Sequence, residues 1–228
     1  MRLQIGLLLF PDITQLDLTG PYEVFTKFPD CDVHLLWKNL EPVAAGGGMR
    51  LLPTARFADC PPLDLVCVPG GAGMNRLLND AETLDFLRRQ AQGARYVTSV
   101  CTGSLVLGAA GLLAGRRATT HWMSLPMLAA FGCEPVAERV VVDGNLITGG
   151  GVTAGIDFAL RVAGELFGAE TARRIQLAIE YDPDPPYDSG SPASADEALV
   201  AAVREAAAAR QGEREEAVAR AAARLGDG

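Results

Sequence analysis

The sequence predicts an α/β sandwich, in which a mostly parallel central sheet is covered by helices on both faces. Strand-like apolar runs alternate with helix-like segments along most of the chain, which has 228 residues. The runs are apolar at consecutive positions, which is typical of parallel strands buried on both sides. Hydrophobic residues make up 49% of the chain, which is enough for one large core. These observations together favour three layers with the sheet in the middle.

The predicted strands share a run of aliphatic or β-branched residues that ends at a turn signal. They cover residues 3–10, 32–37, 63–68 and 97–100, with short extended pieces through 57 and at 118–120. A Gly-rich turn at 45–48 separates the short pieces from the second strand. A hairpin is expected at 140–148, because Asp143-Gly144-Asn145 lies between two apolar runs.

The predicted helices begin at capping or turn residues. They cover residues 20–28, 80–92, 102–113 and 123–131, and two more follow Thr153 and Ala169. Pro21 is placed in the first turn of the first helix, where its missing N–H would have no partner anyway. Asp17 is thereby expected in the connection between the first strand and the first helix.

The composition changes after Tyr181, and we expect two parts: an α/β domain at 1–190 and an Ala-rich helical extension at 191–228. The Pro-rich segment 182–192 is incompatible with regular structure and should run over a surface. Ser194 to Glu197 has the pattern of a capping box, which predicts the start of a helix. Gly212 is expected to break or bend that helix. Apolar residues at helical spacing favour packing of this helix on the body or on a partner subunit.

Composition excludes several classes of function. The net charge is −8, so nucleic-acid binding has no electrostatic support. No apolar stretch has the roughly 20 residues of a membrane span, and the apolar N-terminus is better explained as a strand than as a signal peptide. We therefore expect a cytoplasmic protein. The five cysteines form no C-x-x-C pair and the two histidines fit no metal motif, so no metal is expected.

Cys101 is the strongest candidate for a catalytic residue. It lies between the β-branched run at 97–100 and a predicted helix of small and aliphatic residues, with Gly103 two positions later. This is the pattern of a nucleophile elbow with sulfur in place of the hydroxyl. A thiol at a helix N-terminus is expected to be stabilised as the thiolate. The alternative is a buried structural cysteine.

The remaining candidates would transfer protons or stabilise the negative charge that develops on the substrate. Asp17 lies between Leu16 and Leu18, and these apolar neighbours are expected to raise its pKa, although a surface helix cap is the alternative. Thr102 follows the nucleophile, and its N–H and that of Gly71 are candidate donors to a substrate anion. The Pro69-Gly70-Gly71 turn could equally be a plain strand end. His121 follows the extended piece at 118–120, too far along the chain to predict a peptidase triad.

Three segments together resemble the ThiJ/PfpI superfamily: Val100-Cys101-Thr102-Gly103, Pro69-Gly70-Gly71 and Ala118-Thr119-Thr120-His121-Trp122. The resemblance covers roughly residues 1–190. It implies a flavodoxin-like sandwich with a cysteine elbow, and a homodimer. Asp17 stands where the superfamily usually has glutamate, and Thr102 where a Cys-His hydrolase has histidine. This combination is similar to the isonitrile hydratases within the superfamily.

That resemblance implies an enzyme that adds water to a small-molecule isonitrile and releases an N-substituted formamide, without metal or organic cofactor. Cys101 would attack the terminal isonitrile carbon to give a thioimidate, Asp17 would handle the proton, and Thr102 would orient substrate or water. Tyr181 is implied as a residue that lines the pocket, with Gly71 and His121 as further substrate contacts.

Two other classes of function remain open at this point. One is a deglycase or glyoxalase-like enzyme of the same superfamily, which would use the same cysteine. The other is a cysteine redox sensor or regulatory module without enzymatic activity. The segment 149–157 also resembles the sensor domain of AraC-type regulators, but the tail is too short and too rich in Glu and Ala for two helix-turn-helix motifs.

Overall fold

The architecture is a seven-stranded sheet between two layers of helices, which confirms the predicted three-layer sandwich. The computed structural model describes residues 2–226; Met1, and Asp227 and Gly228 at the end of the predicted extension, lie outside the described part. The strands are β1 (Leu3–Leu8), β2 (Cys31–Trp37), β3 (Val43–Ala44), β4 (Arg50–Leu51), β5 (Ala55–Arg56), β6 (Leu65–Val68), β7 (Tyr96–Val100), β8 (Arg117–Ala118), β9 (Glu134–Pro135), β10 (Val140–Asp143) and β11 (Leu146–Gly149).

The helices are α1 (Gln15–Phe25), α2 (Met74–Leu77), α3 (Ala81–Gly93), α4 (Gly103–Ala109), α5 (Ala154–Phe167), α6 (Ala169–Ala178) and α7 (Glu197–Gly226). Three 3-10 helices lie at Gly46–Gly48, Phe57–Asp59 and Trp122–Phe131. Helix α5 packs against both α1 and α6 in one layer, whereas α4 contacts α3, α7 and the 3-10 helix Trp122–Phe131 in the other.

The strand order of the main sheet is β10-β11-β7-β6-β1-β2-β5. Every neighbouring pair is parallel except β10 and β11, which form the predicted hairpin. Strands β6, β1 and β7 lie in the middle, and all four residues of β6 are buried. The carboxyl ends of these three strands therefore lie side by side, where α/β sheets usually bind ligands.

Helix α1 begins at Gln15, so the predicted start at Gly20 is wrong. Pro21 lies inside the helix, where its ring packs against α5: a Cβ on Gly155 would lie only 3.1 Å from Pro21 Cδ. This interhelical packing offsets the hydrogen bond that proline cannot donate. As a result, Asp17 lies in the first turn of α1 rather than in a connecting loop.

Helix α4 is shorter than predicted and ends at Ala109. Gly111, with φ of +77°, turns the chain away from the helical path. The segment Trp122–Phe131 is helical as expected but adopts the 3-10 form, with Pro126 inside it. Proline lacks the N–H that an α-helical turn would use at this position.

Helix α7 is continuous through Gly212, so the predicted break is wrong. Five of its residues are buried: Ala207, Arg214, Ala217, Val218 and Ala221. This packing outweighs the helix-breaking tendency of one glycine, which is about 1 kcal/mol. The N-terminal cap is Asp196, whose Oδ1 accepts the Leu199 N–H at 2.8 Å, and not Ser194 of the predicted capping box.

Candidate active site

Cys101 occupies a strained corner between β7 and α4. Its φ is +54°, in the left-handed region that residues with a side chain rarely adopt. The corner is tight because Gly103 lies against the end of β6: a Cβ at Gly103 would come within 1.9 Å of the Val68 carbonyl oxygen. Strain of this kind persists only where the surroundings enforce it, and it is concentrated at functional sites.

The backbone of Cys101 is held on both sides. Its N–H donates to the Gly149 carbonyl of β11 at 3.1 Å. Its own carbonyl oxygen accepts hydrogen bonds from the Thr120 hydroxyl at 2.8 Å and the Ser104 hydroxyl at 3.3 Å. These bonds come from three different elements, so the position of the thiol is fixed by the fold and not by the local turn alone.

Asp17 lies completely buried beside the thiol. Its Oδ2 accepts the Gly70 N–H at 3.0 Å, whereas no N–H or O–H donates to its Oδ1 among the described residues. Burial raises the pKa of Asp17 to about 7, while hydrogen bonding from the Cys101 thiol and from Gly70 acts in the opposite direction. A carboxyl group with this pKa can both accept and donate a proton near neutral pH.

Burial and the neighbouring acid act against the thiolate that the sequence pattern predicts at Cys101. Burial, followed by the charge of Asp17, raises the pKa of Cys101 well above its usual value. The Thr102 N–H and the charge of Arg214 act in the opposite direction and are outweighed. The N-terminus of the short helix α4 therefore does not offset the loss of water around the sulfur. Cys101 and Asp17 form a coupled pair, so deprotonation of one raises the pKa of the other.

Thr102 and Gly71 lie next to this pair and bind each other. The Gly71 N–H donates to the Thr102 hydroxyl oxygen at 3.2 Å, so this N–H already has a partner and is not a free donor. Gly71 has φ of +140°, and a Cβ there would lie 2.4 Å from the Thr14 nitrogen, so only glycine fits. The Gly71 backbone thus positions the Thr102 hydroxyl beside Asp17.

A cavity of about 650 Å³ has His121 among its lining residues, whereas Cys101 and Asp17 do not line it. Thr120, whose hydroxyl holds the Cys101 carbonyl, lines the cavity as well. The His121 Nδ1 accepts the Met123 N–H at 3.3 Å. Burial, followed by the charges of Arg214 and Arg210, lowers the pKa of His121, so its ring is neutral near pH 7.

Tyr181 is not among the residues that line this cavity. Its hydroxyl donates to Asp157 Oδ2 at 2.9 Å, and the same oxygen accepts Arg139 Nε at 2.7 Å. Arg139 does line the cavity, so Tyr181 reaches it only through this network. A direct contact of Tyr181 with a substrate stays a prediction.

Two site residues were missed by sequence reasoning. Gly70 holds Asp17, and a Cβ on Gly70 would lie 2.6 Å from Thr102 Oγ1 and 2.8 Å from Asp17 Oδ2. The Gly-Gly pair was a signal, but it did not indicate which glycine approaches the acid. Thr120 belongs to the motif Ala118-Thr119-Thr120-His121-Trp122, but the motif does not indicate that the Thr120 hydroxyl donates to the Cys101 carbonyl.

Residues 2–226 contain no cluster of His, Cys, Asp or Glu that could hold a metal ion. Within the same range, no helix combines the length and the hydropathy of a membrane span.

Comparison with known proteins agrees with this geometry. A protein from Pseudomonas putida named isonitrile hydratase is 60% identical over 225 residues, which are 99% of each chain. The transcriptional regulator GbdR of Pseudomonas aeruginosa is 32% identical over 186 residues, 78% of this chain and 50% of the regulator. A ThiJ/PfpI family protein from Pseudomonas syringae superposes with a TM-score of 0.93 at 42% identity, covering 96% of this chain and 91% of that one.

The fold is shared more widely. DJ-1beta from Drosophila melanogaster superposes with a TM-score of 0.72 at 26% identity, over 79% of this chain and 98% of its own. The model of the DJ-1/PfpI family matches residues 4–165, a range that contains Asp17, Gly70 and Cys101. With its strained cysteine elbow and flavodoxin-like sandwich, the chain belongs to the DJ-1/PfpI family.

Proposed function

We propose that this protein is an isonitrile hydratase, which converts an isonitrile R–N≡C and water into the formamide R–NH–CHO. The observation that carries the proposal is the buried pair of Cys101 and Asp17 at the carboxyl ends of the central strands. The Pseudomonas putida relative of that name supports it, because the likeness extends over 99% of both chains. The regulator GbdR, by contrast, is 32% identical and is matched over only 50% of its own length.

The first step joins the thiol to the terminal carbon of the isonitrile. The Cys101 proton passes to the Asp17 carboxylate, the sulfur forms a bond to the carbon, and Asp17 returns the proton to that carbon. The product is a thioimidate, R–N=CH–S–Cys101, which contains all atoms of the isonitrile and the thiol. The pKa of about 7 suits Asp17 to both halves of this transfer.

The second step releases the product. Water adds to the thioimidate carbon and its proton goes to nitrogen, which gives R–NH–CH(OH)–S–Cys101. The C–S bond then breaks, the hydroxyl proton returns to sulfur through Asp17, and the formamide leaves. Neither step involves a change of oxidation state at sulfur, so no redox partner is needed.

The neighbouring residues serve orientation in this proposal. The Thr102 hydroxyl, which accepts the Gly71 N–H, keeps its own proton for the substrate nitrogen or the attacking water. His121 lines the cavity in which the R group would lie. Tyr181 supports the cavity wall through Asp157 and Arg139.

The test is turnover of a simple alkyl isonitrile, followed by the appearance of the formamide. Cys101→Ala and Cys101→Ser should abolish turnover, and the wild-type enzyme quenched during turnover should carry the mass of the isonitrile on Cys101. Cys60→Ala, at a half-buried cysteine outside the site, is the matched control and should retain activity. Formamide production by Cys101→Ala would refute the mechanism. Failure of the wild type on every isonitrile, with oxidation of Cys101 by peroxide, would favour the redox sensor.

We further propose a cytoplasmic homodimer, as the resemblance implies, in which residues 191–228 form an extension of a domain at 1–190. The exposed side chain of Leu177 on α6 offers one apolar group for contact between subunits. Light scattering coupled to gel filtration measures the mass directly. A single species of 24.0 kDa at micromolar concentration would contradict the dimer.

A further inference from the structure

Arg214 is a buried cation on α7 without an ionic partner. Its side chain is only 5% exposed. Nη1 donates to Ser124 Oγ at 3.0 Å and to Gln211 Oε1 at 3.3 Å, and Nε donates to Asn75 Oδ1 at 3.3 Å. All three partners are neutral, and no carboxylate of residues 2–226 forms an ion pair with this guanidinium. Burial of an unpaired charge destabilises the folded protein, so the presence of this charge needs an explanation.

The partners of Arg214 belong to elements that surround the candidate active site. Asn75 lies in α2, which follows the turn that contains Gly70 and Gly71. Ser124 lies in the 3-10 helix that follows His121, and its N–H donates to the His121 carbonyl at 2.8 Å. Helix α7 also packs against α4, which follows Cys101. Arg214 therefore lies in the helix layer that contains α4, whereas α1 packs in the other layer.

The charged groups around Arg214 leave one negative partner for it. Asp17 of α1 lies beside Cys101, and the charge of Arg214 favours the deprotonated form of Cys101. His121 is neutral, and Arg210 is an exposed cation one turn earlier on α7. On α2, Arg76 pairs with Asp12 at the surface. Helix α4 contributes no titratable side chain.

We propose that Arg214 is a positioning residue of the site: its buried guanidinium stabilises the thiolate that forms at Cys101 when the thiol proton passes to Asp17. The proposal deepens the hydratase assignment and rests on Cys101 as its nucleophile. It gives the C-terminal helix a role in the chemistry, since α7 delivers the only buried cation described near the elbow. Because its hydrogen-bond partners are neutral, no neighbouring negative charge cancels the electrostatic effect of the guanidinium on the sulfur.

The experiment measures the rate at which iodoacetamide alkylates Cys101 in the full-length protein as a function of pH, with mass spectrometry of the Cys101 peptide as readout. The variants are Arg214→Met, which removes the charge, and Arg214→Lys, which keeps it. Asn75→Asp leaves Arg214 in place but sets a neutralising carboxylate beside its Nε. Arg224→Gln is the matched control, because Arg224 also docks α7, through Nη2 to the Leu78 carbonyl at 2.7 Å, away from the elbow.

We expect the alkylation midpoint to rise by about one pH unit in Arg214→Met and in Asn75→Asp, which is a tenfold loss of thiolate at a given pH. Arg214→Lys should keep most of the wild-type profile, and Arg224→Gln should lower the Tm without moving the midpoint. An unchanged midpoint in Asn75→Asp, together with either an unchanged or an unfolded Arg214→Met, would overturn the proposal and leave Arg214 a docking residue. If the midpoints shift as expected but the wild-type protein hydrates no isonitrile, the hydratase assignment is refuted and the role of Arg214 beside the thiol stands.

Discussion

Asp17→Asn should make the protein more stable at high pH while it impairs catalysis. The substitution keeps the shape of the side chain, and its amide oxygen can still accept the Gly70 N–H. It removes the negative charge, whose burial destabilises the folded protein. Stability and activity are therefore expected to change in opposite directions, which a purely structural aspartate would not produce.

The magnitude follows from the pKa of Asp17, which rises from 3.8 when exposed to about 7 in the folded protein, a difference worth about 4 kcal/mol. Between these two pH values the folded state holds a proton that the unfolded state has released. The contribution of Asp17 to the free energy of unfolding is therefore complete below about pH 4 and is lost as pH rises to about 7.

The assay is urea unfolding of wild type and Asp17→Asn between pH 5 and pH 8. We expect the difference in the free energy of unfolding to shift in favour of Asp17→Asn by about 3 kcal/mol over this range. The hydration rate of the variant should be severely reduced at every pH. A difference in stability that does not vary with pH would show that burial does not raise the pKa of Asp17, and its proposed role as both proton acceptor and proton donor near neutral pH would then be wrong.

Two further substitutions test the geometry of the elbow. Gly103→Ala should destabilise the protein by about 3 kcal/mol or more in thermal or urea unfolding, because its Cβ would overlap the Val68 carbonyl oxygen. The control is Gly164→Ala in α5, where a Cβ meets nothing within 4 Å. This control substitution should be neutral or stabilising. Equal effects of the two glycine substitutions would contradict the close approach. Thr102→Val should lower kcat at least about tenfold with a smaller effect on KM, since it removes the hydroxyl that accepts the Gly71 N–H; wild-type kinetics would exclude Thr102 from the site.

The sheet and the elbow could be predicted because their signals are local. Strand β7 is a β-branched run, and small residues follow Cys101 directly, so both the strand and the corner were visible in one short segment. The start of α1 and the continuity of α7 could not be predicted from the local sequence. They depend on the contact of Pro21 with Gly155 and on the burial of alanines of α7 against the body, which only the folded chain defines.

The electrostatics of the site were harder to predict. The bond between Gly70 and Asp17 joins residues 53 positions apart, and it exists because β6 lies next to β1 in the sheet. A helix N-terminus, which favours a thiolate, is visible in the sequence, whereas the burial that raises the pKa of Cys101 is not. Arg214 resembles any arginine on a solvated helix face until the partners of α7 are known.

The site is built on the three innermost strands of the sheet, which ties its survival to that of the whole molecule. Asp17 follows β1, Gly70 follows β6 and Cys101 follows β7, and these strands are consecutive neighbours. Fraying of the marginal strands β5 and β10 leaves all three junctions intact. Heat inactivation and cooperative melting are thus coupled in this scaffold, since fraying of the edge strands alone does not separate the thiol from its carboxyl partner.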